Sequence, residues 1–186
     1  MPAMQRASLL AAIVATGLVA CGSESVDPRA AECADYCDLI EAHCTGGFDQ
    51  YSDRDSCLST CEAMPLGDQA THSGHTIMCR TFTAAIAELT PAFNCAKAGP
   101  GGDGTCGGNC ESFCAMADEI CTDDNQAFAS IAECMGACTF YNTTPVYDAS
   151  RTSGDTFACR LYHLTAASND PRTHCAHIGP TSPVCF

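Results

Sequence analysis

The chain has no tryptophan, and Phe plus Tyr together number thirteen in 186 residues. Aromatic side chains supply much of the burial energy of ordinary cores, so a large, conventionally packed core is excluded. Basic residues are as scarce: eight Lys+Arg stand against twenty-two Asp+Glu. A surface of that sign repels phosphate backbones and anionic headgroups, which removes nucleic acid as a partner. There is no G-x-S-x-G, no H-E-x-x-H, no phosphate loop and no dinucleotide fingerprint. The chain is therefore read as non-enzymatic, with no catalytic residues. No C-x2-C pair occurs, which argues against zinc–cysteine sites, and the absence of C-x-x-C-H argues against covalently attached haem. After residue 20 no apolar run approaches the ~20 residues that a membrane-spanning helix needs.

What is abundant is cysteine, seventeen in all. Sixteen of them fall into two copies of one pattern. The first copy places them at Cys33, Cys37, Cys44, Cys57, Cys61, Cys79, Cys95 and Cys106. The second places them at Cys110, Cys114, Cys121, Cys134, Cys138, Cys159, Cys175 and Cys185. Five of the seven spacings are identical. Modules this small bury too little apolar surface to be secure on their own. Dense cysteine in such modules marks a disulfide scaffold in an oxidising compartment.

The seventeenth cysteine, Cys21, ends the segment Leu18-Val19-Ala20-Cys21. Gln5-Arg6 gives a weakly basic start and Leu9 to Val14 an apolar run, so residues 1–20 read as a signal peptide. Leu-Val-Ala-Cys resembles the lipobox of bacterial lipoproteins at all four positions. That resemblance implies cleavage before Cys21 and its lipidation, palmitate included, and it leaves an even sixteen cysteines for pairing. Several acyl chains at one site give stable anchoring. Residues 21–31 then form a lipidated cysteine and polar tether, and the membrane becomes a partner through the anchor. By resemblance to lipoprotein sorting rules, Gly22 after the lipid cysteine favours the outer membrane, on its periplasmic or cell-surface face. From Cys21 onwards seven Lys+Arg (all but Arg6) and twenty-two Asp+Glu leave a net charge of −15.

The fold class expected is mainly α: two tandem disulfide-rich modules, 32–108 and 109–186, each of about three short helices. Asp27-Pro28 reads as an N-cap with Pro at the first helical position. Cys33, Cys37, Ile40 and Cys44 then share one helical face, as do Cys110, Cys114, Ala117 and Cys121. Ser130 to Glu133 reads as a capping box opening the second helix of the second copy. In the third helix Cys79, Phe82, Ile86 and Leu89 form an apolar stripe, and Pro91 and Pro171 end this helix in the two copies. Two C-x3-C pairs on neighbouring antiparallel helices predict Cys33–Cys61 and Cys37–Cys57, and likewise Cys110–Cys138 and Cys114–Cys134. Cys44–Cys79, Cys121–Cys159, Cys95–Cys106 and Cys175–Cys185 are the expected remainder, chosen among 105 pairings per module.

The hairpin resembles the twin C-x3-C arrangement of small mitochondrial import chaperones, though four extra cysteines and an extra helix depart from it. Over the whole chain after Cys21, segments such as Cys159-Arg160-Leu161-Tyr162-His163, His174-Cys175-Ala176-His177 and Gly179-Pro180 resemble cysteine-rich lipoproteins of myxobacteria and their relatives. The resemblance implies envelope localisation and disulfides, and no activity.

The duplication offers an internal control for chemistry. The second copy has His163, His174 and His177 where the first has Thr83, Asn94 and Lys97. Three imidazoles present together in one module and absent together from the other fit a shared ligand, such as Zn2+ or Cu2+ with an open fourth position. His163 as an axial ligand to non-covalent haem stays open. His72 and His75 read as solvated loop residues, and Arg80 and Arg160 as partners of an acidic neighbour in each module. Three functions follow. The leading one is a non-enzymatic envelope lipoprotein that binds a protein or another envelope component and carries no cofactor. The second is a metal or haem carrier, or a redox accessory protein, centred on the three histidines. The third is a hydrolase inhibitor presenting the loop Phe140 to Gly154.

Overall fold

The computed structural model describes residues 27–186, so the signal peptide, the lipidation of Cys21 and most of the tether lie outside the described residues. Eight α-helices occur among those residues, four per module: α1 (Pro28–His43), α2 (Arg54–Glu62), α3 (Ile77–Ala87), α4 (Pro91–Ala98), α5 (Asn109–Ile120), α6 (Ile131–Cys138), α7 (Phe157–Ala167) and α8 (Pro171–His174). The only β-pairing among them is an isolated bridge between Asn142 and Thr156. The protein is mainly α, a tandem of two disulfide-rich helical modules.

Local chemistry explains the helix starts. The Asp27 carboxylate accepts from the Arg29 amide, with Pro28 in the first turn. Ser130 accepts from the Glu133 amide, and the Glu133 carboxylate accepts from Ala129 N. Pro91 and Pro171 do more than separate helices. Each sits in the first turn of a further short helix, where its missing N–H costs nothing. The residues carrying Cys95 and Cys175 are thereby helical or nearly so.

Eight disulfides staple the modules. In the two hairpins Cys33 pairs with Cys61, Cys37 with Cys57, Cys110 with Cys138 and Cys114 with Cys134. The other four bonds differ from the expected set. Cys44 joins Cys95 rather than Cys79, and Cys79 joins Cys106. Likewise Cys121 joins Cys175 rather than Cys159, and Cys159 joins Cys185. The physical reason is the direction of α3. It starts beside the end of α2, where Ile77 N donates to Pro65 O. By Ala84 it has reached the end of α1, where His43 Nδ1 bonds the Ala84 carbonyl. So α3 runs parallel to α1, and Cys79 in its first turn is held far from Cys44. The cysteine that arrives there is Cys95 of α4.

The face of α3 that is buried also differs from the expected stripe. Ile77, Cys79, Arg80, Thr83, Ala84 and Ala87 turn inward, whereas Phe82 and Ile86 are 41% exposed and Leu89 84% exposed. The Cys79–Cys106 bond fixes the helix rotation, and the small Ala84 and Ala87 allow close approach to α1. The core of module one centres on Tyr36, Ile40, Met64 and Ile77. The core of module two centres on Phe113, which meets Phe128, Tyr141 and Phe157 edge to face at centroid distances of 6.2, 6.3 and 5.7 Å.

The modules dock through α2 and the end of α7. Ser59 donates to Asn169 Oδ1 (2.6 Å), Asn169 Nδ2 to Ser56 (3.3 Å), and Thr60 bonds Thr165 O and Ser168. The segment between the modules is tight as well. Gly107 has φ +95°, and a Cβ there would lie 2.5 Å from Ser112 Oγ, so only glycine serves.

A candidate metal centre in the second module

α7 turns His163 inward one turn after Cys159, and the side chain is 6% exposed. His174 ends α8, and His177 ends the short 3-10 turn Cys175–His177 that follows. The Cys121–Cys175 bond ties this turn to the end of α5, and the Cys159–Cys185 bond ties α7 to the chain's last residues. Two covalent staples therefore hold the three imidazoles together. His163 Nδ1 lies 2.9 Å from His174 Nδ1 and 3.3 Å from His177 Nδ1. One nitrogen from each ring lies within 4.8 Å of the other two.

The proton inventory follows from geometry. His163 Nε2 lies 3.2 Å from the Thr152 carbonyl. A carbonyl only accepts, so Nε2 carries the proton and Nδ1 presents its lone pair to the other two rings. Metal-ligating histidines are oriented in this way by a second partner on the far nitrogen. Burial, then the nearby His177 and His174, push His163 down to about 4. Burial and His177 also lower His174. Neutral imidazoles are the form that binds metal. Tetrahedral Zn–N bonds of about 2.0–2.1 Å place ligand nitrogens about 3.3 Å apart, close to the spacing found here. Cys159 and Cys185 also lie near His163, but both are spent in a disulfide and offer no thiolate.

The equivalent place in module one is satisfied without a ligand. Thr83 donates to Cys79 O (2.8 Å), Asn94 to Thr90 Oγ1 (2.7 Å), and Lys97 Nζ sits 3.1 Å over the Phe93 ring.

His72 is exposed and stacks on Phe82, with ring centroids 3.6 Å apart. His75 is not the solvated residue expected. It is buried, and its Nδ1 accepts from Arg80 Nη2 at 3.1 Å. Arg80 itself is fully buried and, among the described residues, has no carboxylate partner. It donates instead to Gly99 O, Pro100 O, Thr76 O and Ser112 Oγ. Arg160 does hold the expected acidic neighbour, Asp155, at 2.9 Å, and lies over the Tyr141 ring. The exchange of Asp155 for His75 at the aligned position was the sequence signal for this difference. The role of Thr152 had none, because a backbone carbonyl leaves no trace in residue type.

Asp53 caps α2 by accepting from the Ser56 amide. The loop 140–154 is pinned to module one through Tyr147 Oη to Gln50 O and Ala149 N to Asp49 O.

Two tandem stretches, 22–110 and 108–183, match the BfoA family C-terminal domain. The chain belongs to the BfoA family. Among curated proteins it is similar to "Aurasperone B biosynthesis cluster protein A" from two strains of Aspergillus niger, at 33% identity over 70 residues. That alignment covers 38% of this chain and 22% of the fungal proteins, so it spans about a fifth of their length. No solved structure matches. Two BfoA-type domains with eight disulfides fit a structural or binding role, and a cysteine framework of this density belongs to an oxidising compartment.

Proposed function

We propose that the protein is a non-enzymatic, lipid-anchored envelope protein whose second module holds a late first-row transition-metal ion on His163, His174 and His177. The observation that supports this reading is the convergence of His174 Nδ1 and His177 Nδ1 on His163 Nδ1, with the far nitrogen of His163 held by Thr152 O. Zn2+ or Cu2+ suits three imidazole nitrogens, and a fourth position would stay open to water or a donor from a partner. Nitrogens clustered this closely suit one small ion and leave no room for the separate axial position that haem requires. The Leu18-Val19-Ala20-Cys21 lipobox and the acidic, disulfide-stapled body support anchoring in the cell envelope. The inhibitor reading has no comparable support, since its loop is bound down against module one.

The test is metal content of the exported, fully oxidised chain, alone and with all three histidines changed to alanine. One Zn2+ or Cu2+ per chain, lost in the triple variant, is expected. A protein that takes up no metal, or the same metal in both forms, defeats the reading. Cys21→Ser, followed by loss of membrane association, tests the anchor separately.

A further inference from the structure

The two modules meet through different faces: α2 of the first sits on the end of α7 of the second. An arrangement of two repeats through unlike faces leaves one face of each kind unused. The unused counterpart of the α7 face is on α3 and α4, and the unused counterpart of α2 is α6. On α3 the residues aligned with Tyr162, Ala166 and Asn169 are Phe82, Ile86 and Leu89, which are 41%, 41% and 84% exposed. On the α6 side, Met135 is 37% exposed, and Phe140, just past the helix, is 89% exposed. Five of the large apolar side chains left in solvent thus lie on the two faces that the repeat leaves open.

The internal junction shows what covers such faces in this fold. A groove there is lined by Ser59, Glu62 and Ala63 on one side and by Ala167, Ser168 and Pro171 on the other. Ala63 aligns with Phe140, and Pro171 with Pro91. The small alanine leaves that internal groove open, whereas a phenylalanine stands at the same place on the free face. The polar Ser59–Asn169 contact is likewise replaced by Gly136 and Leu89.

We infer that a second copy of this chain docks head to tail, with α6, Met135 and Phe140 of one copy covering Phe82, Ile86 and Leu89 on and just after α3 of the next. The contact continues the geometry of the internal junction. It is heterologous, so it extends into a row or closes into a ring. It does not depend on the metal reading, because none of the three histidines takes part.

The experiment is sedimentation velocity on the full chain carrying Cys21→Ser, to keep acyl chains out of the measurement. Phe140→Arg and Leu89→Arg change the two most exposed of the five side chains, and circular dichroism verifies that both variants fold. The parent is expected to grow with concentration beyond the monomer, while each variant alone stays monomeric. A 1:1 mixture of the two variants is expected to give a species of about twice the monomer mass and nothing larger, since only one intact pair of faces remains. Association by either variant alone, a mixture that stays monomeric, or a parent that stays monomeric at every concentration overturns the inference. A monomeric parent that instead binds phosphatidylcholine vesicles through the same side chains would assign the faces to a membrane surface.

Discussion

Changing Arg80 to methionine should destabilise the protein more than any change at Arg160. The guanidinium is fully buried and has no carboxylate partner, which by itself is unfavourable. What it satisfies decides the sign. Gly99 O, Pro100 O and His75 Nδ1 accept from it at 3.1, 3.0 and 3.1 Å, all in buried surroundings. Met fills a similar volume but donates nothing, so Pro100 O and His75 Nδ1 lose their partner, while Gly99 O keeps the Gly102 amide at 3.1 Å. Each buried orphan costs about 1–3 kcal/mol. Relief of the guanidinium's own desolvation returns part of that sum, leaving a net loss of about 2 kcal/mol. At Arg160 the fully buried hydrogen bond is to Cys185 O, while Asp155 is largely solvated, so Arg160→Met should cost about 1 kcal/mol. Guanidinium unfolding of the oxidised proteins, followed by circular dichroism, gives both numbers. If Arg80→Met unfolds within about 1 kcal/mol of the parent, desolvation outweighs the clamp and the reasoning fails.

Further outcomes are specific. Burial and the Arg80 charge hold His75 down to about 3, so the folded state binds fewer protons than the unfolded one below the ordinary histidine range. Stability should be complete above about 6.5 and fall as the pH drops toward 3, and His75→Gln should flatten that fall in unfolding midpoints at pH 7, 5 and 3.5. Peptide mapping without reduction should recover Cys44 linked to Cys95 and Cys121 linked to Cys175; a Cys44–Cys79 peptide would contradict the structure. Asn169→Ala removes two contacts across the module junction and should cost about 1 kcal/mol by denaturant midpoint.

The fold was legible wherever periodicity and short range decide it. Cysteines one helical turn apart on neighbouring helices determined the hairpin pairings, and Asp27-Pro28 and Ser130 to Glu133 marked helix starts. The longer pairings were not legible, because they depend on whether α3 runs with or against α1, and no local pattern encodes that direction. The stripe on α3 misled for a related reason: three apolar side chains at helical spacing describe a face without saying which way it turns. Here Arg80 and two alanines took the inside. The histidine trio was visible only because one module carries it and the other does not. A single copy would have hidden it among ordinary polar residues.

The order of the bonds along the chain has a consequence for biogenesis. In each module the last two disulfides interleave: Cys44–Cys95 with Cys79–Cys106, and Cys121–Cys175 with Cys159–Cys185. A chain threading N-terminus first through a translocon presents wrong partners early, since Cys79 is available to Cys44 well before Cys95 arrives. Premature bonds of that kind need reshuffling, so efficient maturation calls for a disulfide isomerase as well as an oxidase. Among the described residues no disulfide joins the modules, and the first can therefore close its own four on the emergence of Cys106, while most of the second has yet to cross.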